Sequence, residues 1–135
     1  MKKIVSLILV VCMVFSFASA TGSEPTEDIA PLYEQLIGMS SLLKINSLGY
    51  AEAYGTATVR AGYNVEATIE LQKLDGNWNT ISSYTSSGTG ILGTKPYIKM
   101  FVVHGTYQAK VTAVVTDSYG NHIETQTALS QVVRY

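Results

Sequence analysis

The fold class follows from two stretches of sequence, VEATIELQ at residues 65–72 and YQAKVTAVVT at residues 107–116. In the first stretch every odd-numbered residue is apolar and every even-numbered residue is polar, and the second keeps this alternation except at Val114. Successive side chains of a β-strand point to opposite faces, so a period of two is typical of strands that bury one face. The two stretches therefore predict an all-β, antiparallel fold.

Further strands are predicted on both sides of these stretches. Ala51–Arg60 also alternates, and its mostly small inner face requires a bulky group packed against it. Weaker strand patterns are present at Leu42–Ile45, Trp78–Tyr84, Tyr97–Val103 and Ile123–Val133. Within the predicted strand Tyr97–Val103, the run 100–103 is apolar on both faces and is interpreted as central or covered. Six or seven strands at this spacing are typical of a sandwich or barrel, and we predict an immunoglobulin-like β-sandwich of about seven strands.

Residues that favour turns separate most of the predicted strands. They are Asp75-Gly76, Ser87-Gly88, Gly93 and Gly120-Asn121. The Ser-, Thr- and Gly-rich segment from Ser82 to Thr94 is interpreted as the end of a strand followed by a loop.

The first 20 residues have the pattern of a secretory signal peptide and are excluded from the predicted fold. Two lysines precede an apolar run at residues 4–17, and Ala18-Ser19-Ala20 places small residues at the cleavage site. Two alternatives are a membrane anchor, for which the run is short, and a lipoprotein with lipid on Cys12. We predict cleavage after Ala20 and a secreted protein, either extracellular or associated with the cell surface.

Residues 21–40 are predicted to be a leader that precedes the sandwich. The segment Thr21–Asp28 is polar and is interpreted as disordered. The segment Ile29–Ile37 has apolar residues at helical spacing, and Gly38 is a plausible helix end. It is predicted to be either a short helix or an irregular segment, so the sandwich domain is placed at residues 41–135.

The charge of the predicted mature chain argues against nucleic-acid binding. Without the two lysines of the signal peptide, seven basic residues face ten acidic ones, which gives a formal net charge of −3. A phosphate backbone requires a basic surface. The mature chain also lacks cysteine, since Cys12 is the only one. A domain without disulfides depends on its apolar core for stability.

Two aromatic residues receive specific predictions. Tyr107 begins the most regular strand, where many sandwich domains have a tyrosine whose hydroxyl bonds nearby backbone. An ordinary core-facing tyrosine is the alternative. Trp78 is the single tryptophan, and we favour a core position in which it fills the space left by the alanine-rich strand. The other interpretation of Trp78 is an exposed ligand platform.

Two blocks of the sequence resemble a known group of proteins. One is Leu71-Gln72-Lys73 followed by Gly76-Asn77-Trp78, and the other is GTYQAKVTA at residues 105–113. With the signal peptide, they resemble a family of small uncharacterised secreted proteins of Gram-positive bacteria. The second block is also similar to the corresponding strand of fibronectin type III modules. The resemblance covers 42–135 and implies an immunoglobulin- or fibronectin-type sandwich, with no functional residues to transfer.

No combination of residues predicts a catalytic, metal or cofactor site. His104 and His122 bracket the strand that begins at Tyr107, and ten residues at strand rise separate them by roughly 30 Å. Glu66 and Glu70 share one face of one strand about 13 Å apart, farther than the carboxylates of glycosidases. Cross-strand pairs with Glu52 or Glu124 remain open. The sequence contains no Gly-x-Ser-x-Gly motif and no phosphate-binding loop.

Tyrosines are the remaining candidates for a functional surface. They are Tyr54, Tyr63, Tyr84, Tyr97 and Tyr119, which we expect on outer faces or loops. Such side chains suit protein or sugar binding, but they also stabilise exposed sheets through cross-strand pairs.

The leading hypothesis is a secreted, non-catalytic surface-binding or structural module. Its partner would be an extracellular protein or a glycan, with no nucleic acid and no membrane span after processing. One alternative is a carbohydrate-binding module that uses the exposed tyrosines. The other is an extracellular enzyme of an unrecognised type.

Overall fold

The computed structural model describes residues 34–135, which form eight β-strands and one short 3-10 turn. The signal peptide, Cys12 and residues 21–33 of the leader lie outside the described residues. The elements in chain order are β1 (Leu36–Ile45), β2 (Tyr50–Val59), β3 (Asn64–Asp75), β4 (Asn77–Thr89), the turn Gly90–Leu92, β5 (Tyr97–Phe101), β6 (Thr106–Thr116), β7 (His122–Leu129) and β8 (Val133–Arg134). The all-β prediction is confirmed.

The strands form two antiparallel sheets. The three-stranded sheet has the order β1-β2-β5, and the five-stranded sheet has the order β4-β3-β6-β7 with β8 also paired to β6. One core of buried residues draws on both sheets, including Leu43 and Val59 from the first and Ile69 and Val111 from the second. The two sheets thus pack as a β-sandwich.

The alternation in the sequence corresponds to the inner and outer faces of the strands. Buried and partly exposed residues alternate along β2 without exception, and the odd-numbered residues at 65–71 of β3 and 107–115 of β6 are buried as predicted. Val114, the one break in the pattern, lies on the outer face opposite Glu66. The period of two therefore places each of these side chains on the correct face.

Small residues keep the two sheets close together. Six alanines are buried in the core, at positions 51, 53, 57, 67, 109 and 113. A Cβ added to Gly55 would lie 2.6 Å from a methyl carbon of Val111. The space over the alanine-rich strand is thus filled by branched side chains of the opposite sheet.

Trp78 lies outside this core, so the prediction that it packs over the alanine-rich strand is wrong. It is half-buried on β4, at the outer end of the β3–β4 hairpin, where it pairs with Leu74. The hairpin turn at Gly76 places Trp78 directly after the turn, and Trp78 is not among the residues packed against the core.

The first strand begins earlier than predicted. β1 starts at Leu36, inside the segment assigned to the leader and before the predicted start at Leu42. Leu36 pairs with Val59 and is buried in the core, so the end of the apolar pattern at 29–37 belongs to a strand. The sandwich therefore includes residues that the boundary at residue 41 excluded.

The segment from Ser82 to Thr94 is mainly strand and not loop. β4 continues through Ser87-Gly88, where Gly88 pairs with Val65, and the chain turns only at Gly90–Gly93. Gly90 and Gly93 have φ values of 59° and 56°, a conformation that favours glycine. Because β3 offers twelve residues of partner strand, the segment pairs with it from Ser82 to Thr89.

Residues 93 and 94 lie between the two sheets at this corner. Thr94 and Ala57 exchange backbone hydrogen bonds of 2.9 and 3.0 Å, which attaches the segment to β2. Its other side faces β4, where the Ser86 and Thr94 hydroxyls are 2.5 Å apart. A Cβ on Gly88 would overlap the Gly93 carbonyl. The corner is thus a crossing of three backbones in direct contact.

The segment 100–103 is at an edge and not central: Met100 and Val102 pack against the core, whereas Phe101 and Val103 are exposed. β5 is the last strand of the three-stranded sheet, and Phe101 is 69 % exposed.

The predicted strand at 123–133 is divided in two, because Ser130 exchanges hydrogen bonds with the backbone of Ala109 before β8 begins. The turns at Gly76 and Gly120 are present, each with a positive φ.

Tyr107 makes the predicted hydrogen bond to nearby backbone. Its side chain is 1 % exposed, and its hydroxyl donates to the Val103 carbonyl oxygen at 2.6 Å. Burial raises the pKa of the Tyr107 phenol, which keeps the hydroxyl protonated as a donor. The bond fixes the loop between β5 and β6 against the start of β6.

Replacement of Tyr107 by phenylalanine is expected to lower the free energy of unfolding by about 1 kcal/mol, because one buried hydrogen bond is lost while the ring remains. Urea denaturation followed by circular dichroism measures the change. Tyr119→Phe is the control, since Tyr119 is 89 % exposed. Equal stability of Tyr107→Phe and the original chain would show that the bond contributes nothing.

Candidate functional site

Aromatic side chains collect on the outer surface of the three-stranded sheet. Alternation along β2 turns Ala51 and Ala53 inward, so Tyr50, Glu52 and Tyr54 point outward. On β5 the buried Ile98 leaves Tyr97, Lys99 and Phe101 on the outside. We call this surface the aromatic face. It comprises Tyr50, Tyr54, Tyr84, Tyr97, Lys99 and Phe101.

The register between β2 and β5 places these side chains directly opposite one another. Tyr50 pairs with Phe101, Glu52 with Lys99, and Tyr54 with Tyr97. Directly opposed residues on one sheet face have Cβ atoms about 4.5–5.5 Å apart, so each pair is in contact range. The pairing produces two aromatic groups with a charged pair between them.

The rings of the aromatic face contact one another in tilted arrangements. The ring centroids of Tyr50 and Phe101 are 5.0 Å apart at an interplanar angle of 55°. Tyr84 reaches across from β4 of the other sheet, and its centroid lies 6.0 Å from that of Tyr97 at 42°. Tilted pairs at these distances are favourable for aromatic rings. Both sheets therefore contribute to one surface.

Lys99 lies between the two aromatic groups. Its Nζ is 5.9 Å from the centroid of Tyr54 and 5.7 Å from that of Tyr97, within the range of a cation–π interaction. Electrostatic attraction and hydrogen bonding to the Tyr54 side chain, with a smaller effect of Glu52, raise the pKa of Lys99. The ammonium group is therefore held in its charged form above the rings.

The aromatic face is open to solvent. Phe101, Tyr97 and Tyr84 are 69 %, 53 % and 50 % exposed. Tyr97 and Phe101 are four residues apart on one strand, so the two groups are separated by about 13 Å. Leu42 and Lys44 of β1 continue the same rows beyond Tyr54 and Glu52. Exposed aromatic rings are enriched at interaction sites, and this surface carries two groups of them.

Three of the five tyrosines named from the sequence come together here, and two do not. Tyr63 packs half-buried against the core, and Tyr119 lies in the turn after β6, where its backbone N–H donates to Asp117. Tyr50 and Phe101 also belong to this face, although they are not among the residues predicted from the sequence. Tyr50 continues the even-numbered, outward positions of β2, so the alternation in the sequence could have identified it. The contact of Phe101 with Tyr50 could be identified only from the register between β5 and β2.

The outer surface of the five-stranded sheet has a different character. A row of four threonines crosses it from β4 to β7: Thr85, Thr68, Thr112 and Thr127. The hydroxyls of Thr68 and Thr85 are 2.8 Å apart. A concavity of about 400 Å³ lies nearby, lined among others by Glu66, Ser87 and Thr116. It contains one carboxylate, which is too few for acid–base catalysis by a carboxylate pair.

The residues considered for chemistry from the sequence lie apart. His104 stacks on Tyr135 with ring centroids 4.3 Å apart, whereas His122 shares a hydrogen bond of 2.7 Å with Thr125. Glu70 accepts a hydrogen bond from Thr80, and Glu52 lies on the opposite sheet. Among residues 34–135, no three His, Cys, Asp or Glu side chains are grouped closely enough to hold a metal ion.

Glu124 has a structural function that its sequence position did not reveal. Its carboxylate accepts hydrogen bonds from the backbone N–H groups of Glu34, Gln35 and Leu36 at 3.1, 2.9 and 2.7 Å. Burial acts to raise the pKa of this carboxyl, but the bonds from these residues and from Gln126 hold the pKa below its ordinary value. Glu124 thus attaches the beginning of β1 to β7.

Within the described part of the chain, no helix is long and apolar enough to cross a membrane. No protein-family model matches the chain, and no curated protein matches its sequence.

Proposed function

We propose that the protein is a secreted, non-catalytic binding module of the immunoglobulin-like type, and that the aromatic face is its binding surface. The pattern at residues 1–20 supports secretion, and the resemblance of the blocks at 71–78 and 105–113 supports an origin in Gram-positive bacteria. The division into β1-β2-β5 and β4-β3-β6-β7, with the Tyr107 hydroxyl bonded to Val103, supports the immunoglobulin-like type.

The observation that carries the binding proposal is the pair of exposed aromatic groups on either side of Lys99. Cross-strand tyrosines can stabilise a sheet without binding a partner. For that purpose the rings only have to contact each other. Here Tyr97 and Phe101 keep more than half of their surface in water. Aromatic rings bring large apolar area with few rotatable bonds, so they bind a partner at a low cost in entropy.

A carbohydrate is the second candidate ligand, and the arrangement around Lys99 favours it over a purely apolar partner. Glu52, Lys99 and Lys44 lie in one row across the sheet, between the aromatic groups. Their charged groups can donate to or accept from sugar hydroxyls while the rings pack against the sugar. An extracellular protein would use the same rings, so the type of ligand must be found by direct binding assays.

Replacement of Tyr97 by alanine is expected to weaken binding at least tenfold, because Tyr97 contacts both Tyr84 and Lys99. The assays are a glycan array, sedimentation with Gram-positive cell walls, and cross-linking to proteins of the cell surface. Phe101→Ala tests the second aromatic group in the same assays.

Tyr119→Ala is the matched control, because it removes an exposed tyrosine that is remote from the aromatic face. Binding that survives both Tyr97→Ala and Phe101→Ala, but not Tyr119→Ala, would place the site elsewhere. Binding to glycans alone would favour the carbohydrate candidate, and binding to a cross-linked protein alone would favour a protein partner.

A further inference from the structure

One edge of the five-stranded sheet is unpaired. β4 is the last strand of that sheet, and it pairs with β3 on one side only. Among residues 34–135, the one other backbone pairing of β4 is the isolated bridge between Thr89 and Gly93 at its end. The contacts of Ser86 with Thr94 and of Tyr84 with Tyr97 are made by side chains and leave the backbone edge unpaired. The backbone donors and acceptors along the rest of that edge are therefore available to another strand.

The sequence of this edge has none of the charges that usually prevent association. The thirteen residues from Asn77 to Thr89 include no charged residue and no proline. The other edge strands differ: β1 carries Lys44, β5 carries Lys99, and β7 carries Glu124. Exposed edges in soluble proteins are normally protected by lysine, proline, bulges or short length.

A β-bulge limits the available part of the edge. Ser82 pairs with Leu71 and Thr80 pairs with the next residue, Gln72, which leaves Ile81 without a partner. A bulge increases local twist and turns the first third of β4 away from a straight edge. The unprotected stretch is therefore Ser82–Ser87, between the bulge and the corner at Gly88.

We propose that two copies of this protein associate through Ser82–Ser87 of β4, as antiparallel neighbours that join two five-stranded sheets into one. A second copy fits this edge because an antiparallel pair of identical strands has two-fold symmetry, so each free donor meets an acceptor. The neutral sequence brings no like charges together when it pairs with itself.

The side chains of this stretch already form such pairs within one chain. The hydroxyls of Thr85 and Thr68 are in hydrogen-bond contact across β4 and β3, and the hydroxyl of Ser86 contacts that of Thr94 in the corner segment. Pairing of β4 with a second β4 repeats this chemistry between small hydroxyl side chains, which also allow close approach. Tyr84 belongs to the aromatic face, so the dimer places two aromatic faces beside one shared edge.

The test is analytical ultracentrifugation of the chain from Thr21 onward, between about 1 µM and 1 mM, with circular dichroism as a check of folding. We expect a concentration-dependent dimer. The double variant Ser83→Lys/Ser87→Lys is expected to raise the dissociation constant of the dimer at least tenfold, because lysines on an edge oppose pairing. The control, Thr125→Lys/Thr127→Lys, adds the same charge to exposed positions on β7, the opposite edge, and should dimerise like the original chain.

Hydrogen exchange of the unmodified chain provides a second measurement that does not depend on how the variants fold. Backbone amides within Ser82–Ser87 are expected to exchange more slowly at high than at low concentration. A chain that stays monomeric at 1 mM overturns the proposal. A dimer that resists the β4 lysines but is disrupted by Tyr97→Ala also overturns it, since the interface would then be the aromatic face.

Discussion

Replacement of Gly88 by alanine is expected to lower the free energy of unfolding by about 3 kcal/mol, because the added methyl group has no space. The added carbon would overlap the backbone carbonyl of Gly93, which is itself fixed against Ala57 of the other sheet. Flexible side chains can move away from an added methyl group, but three backbones in contact cannot do so without shifting the sheets.

Urea denaturation at constant pH measures this loss, and Gly76→Ala is the matched control. Gly76 has a φ of +71° but no heavy atom within 4 Å of an added Cβ, so only backbone strain of about 1 kcal/mol is expected. The comparison separates steric contact from backbone conformation. If Gly88→Ala is no less stable than Gly76→Ala, the contact between β4 and residue 93 is looser than described.

Replacement of Glu124 by alanine is expected to cost about 2–3 kcal/mol at pH 7, because the N–H groups of Glu34, Gln35 and Leu36 lose their acceptor together. Glu124→Gln keeps one carbonyl oxygen and should cost less. Both variants are expected to loosen the start of β1 first, which hydrogen exchange of residues 34–38 can detect.

The effect of Glu124 also depends on pH in a defined direction. The folded-state pKa lies below the ordinary value of 4.5, so the carboxylate contributes its full stabilisation above that pH. The contribution decreases as the pH falls through the folded-state pKa. The difference in stability between the original chain and Glu124→Gln should therefore be largest near pH 7 and shrink toward pH 3.

This difference in stability separates the pH dependence that Glu124 causes from the pH dependence that Asp117 causes. Hydrogen bonds from the backbone of Asn121, together with those from its side chain and from Tyr119, lower the pKa of Asp117 as well. Asp117 is unchanged in both proteins, so its effect cancels. Glu66→Gln, which removes an exposed carboxylate of the same sheet, is expected to change stability by less than about 0.5 kcal/mol. A constant difference between pH 7 and pH 3 would contradict the assignment.

The sequence predicts the parts of this fold that local periodicity controls. The alternation in β2, β3 and β6 identifies both the strands and their buried faces, and Tyr107 was placed from its position at a strand start. The segment Ser82–Thr94 could not be predicted, because its Ser-, Thr- and Gly-rich sequence is equally suited to a loop. It becomes a strand through pairing with β3, which a local pattern does not contain.

The candidate surface shows the same division between local and distant information. Tyr54 and Tyr97 could be named as exposed because strand alternation places them outward. The contact of Tyr97 with Tyr84 depends on a strand of the other sheet, and the place of Phe101 on this surface depends on the register of β5 with β2. Glu124 resembles any glutamate in a polar strand until the start of β1, ninety residues earlier in the chain, is brought beside it.

The six buried alanines and Gly55 set how this protein can change in evolution. A Cβ on Gly55 would already meet Val111 at 2.6 Å, so we expect mutations that enlarge an inward side chain to destabilise the fold and the outward positions to vary more freely. Descendants of a common ancestor should therefore keep the sequence of small inward residues in β2, β3 and β6 while their surfaces acquire different specificities. Shared ancestry would be recognised more readily from that inner pattern than from any residue that touches a partner.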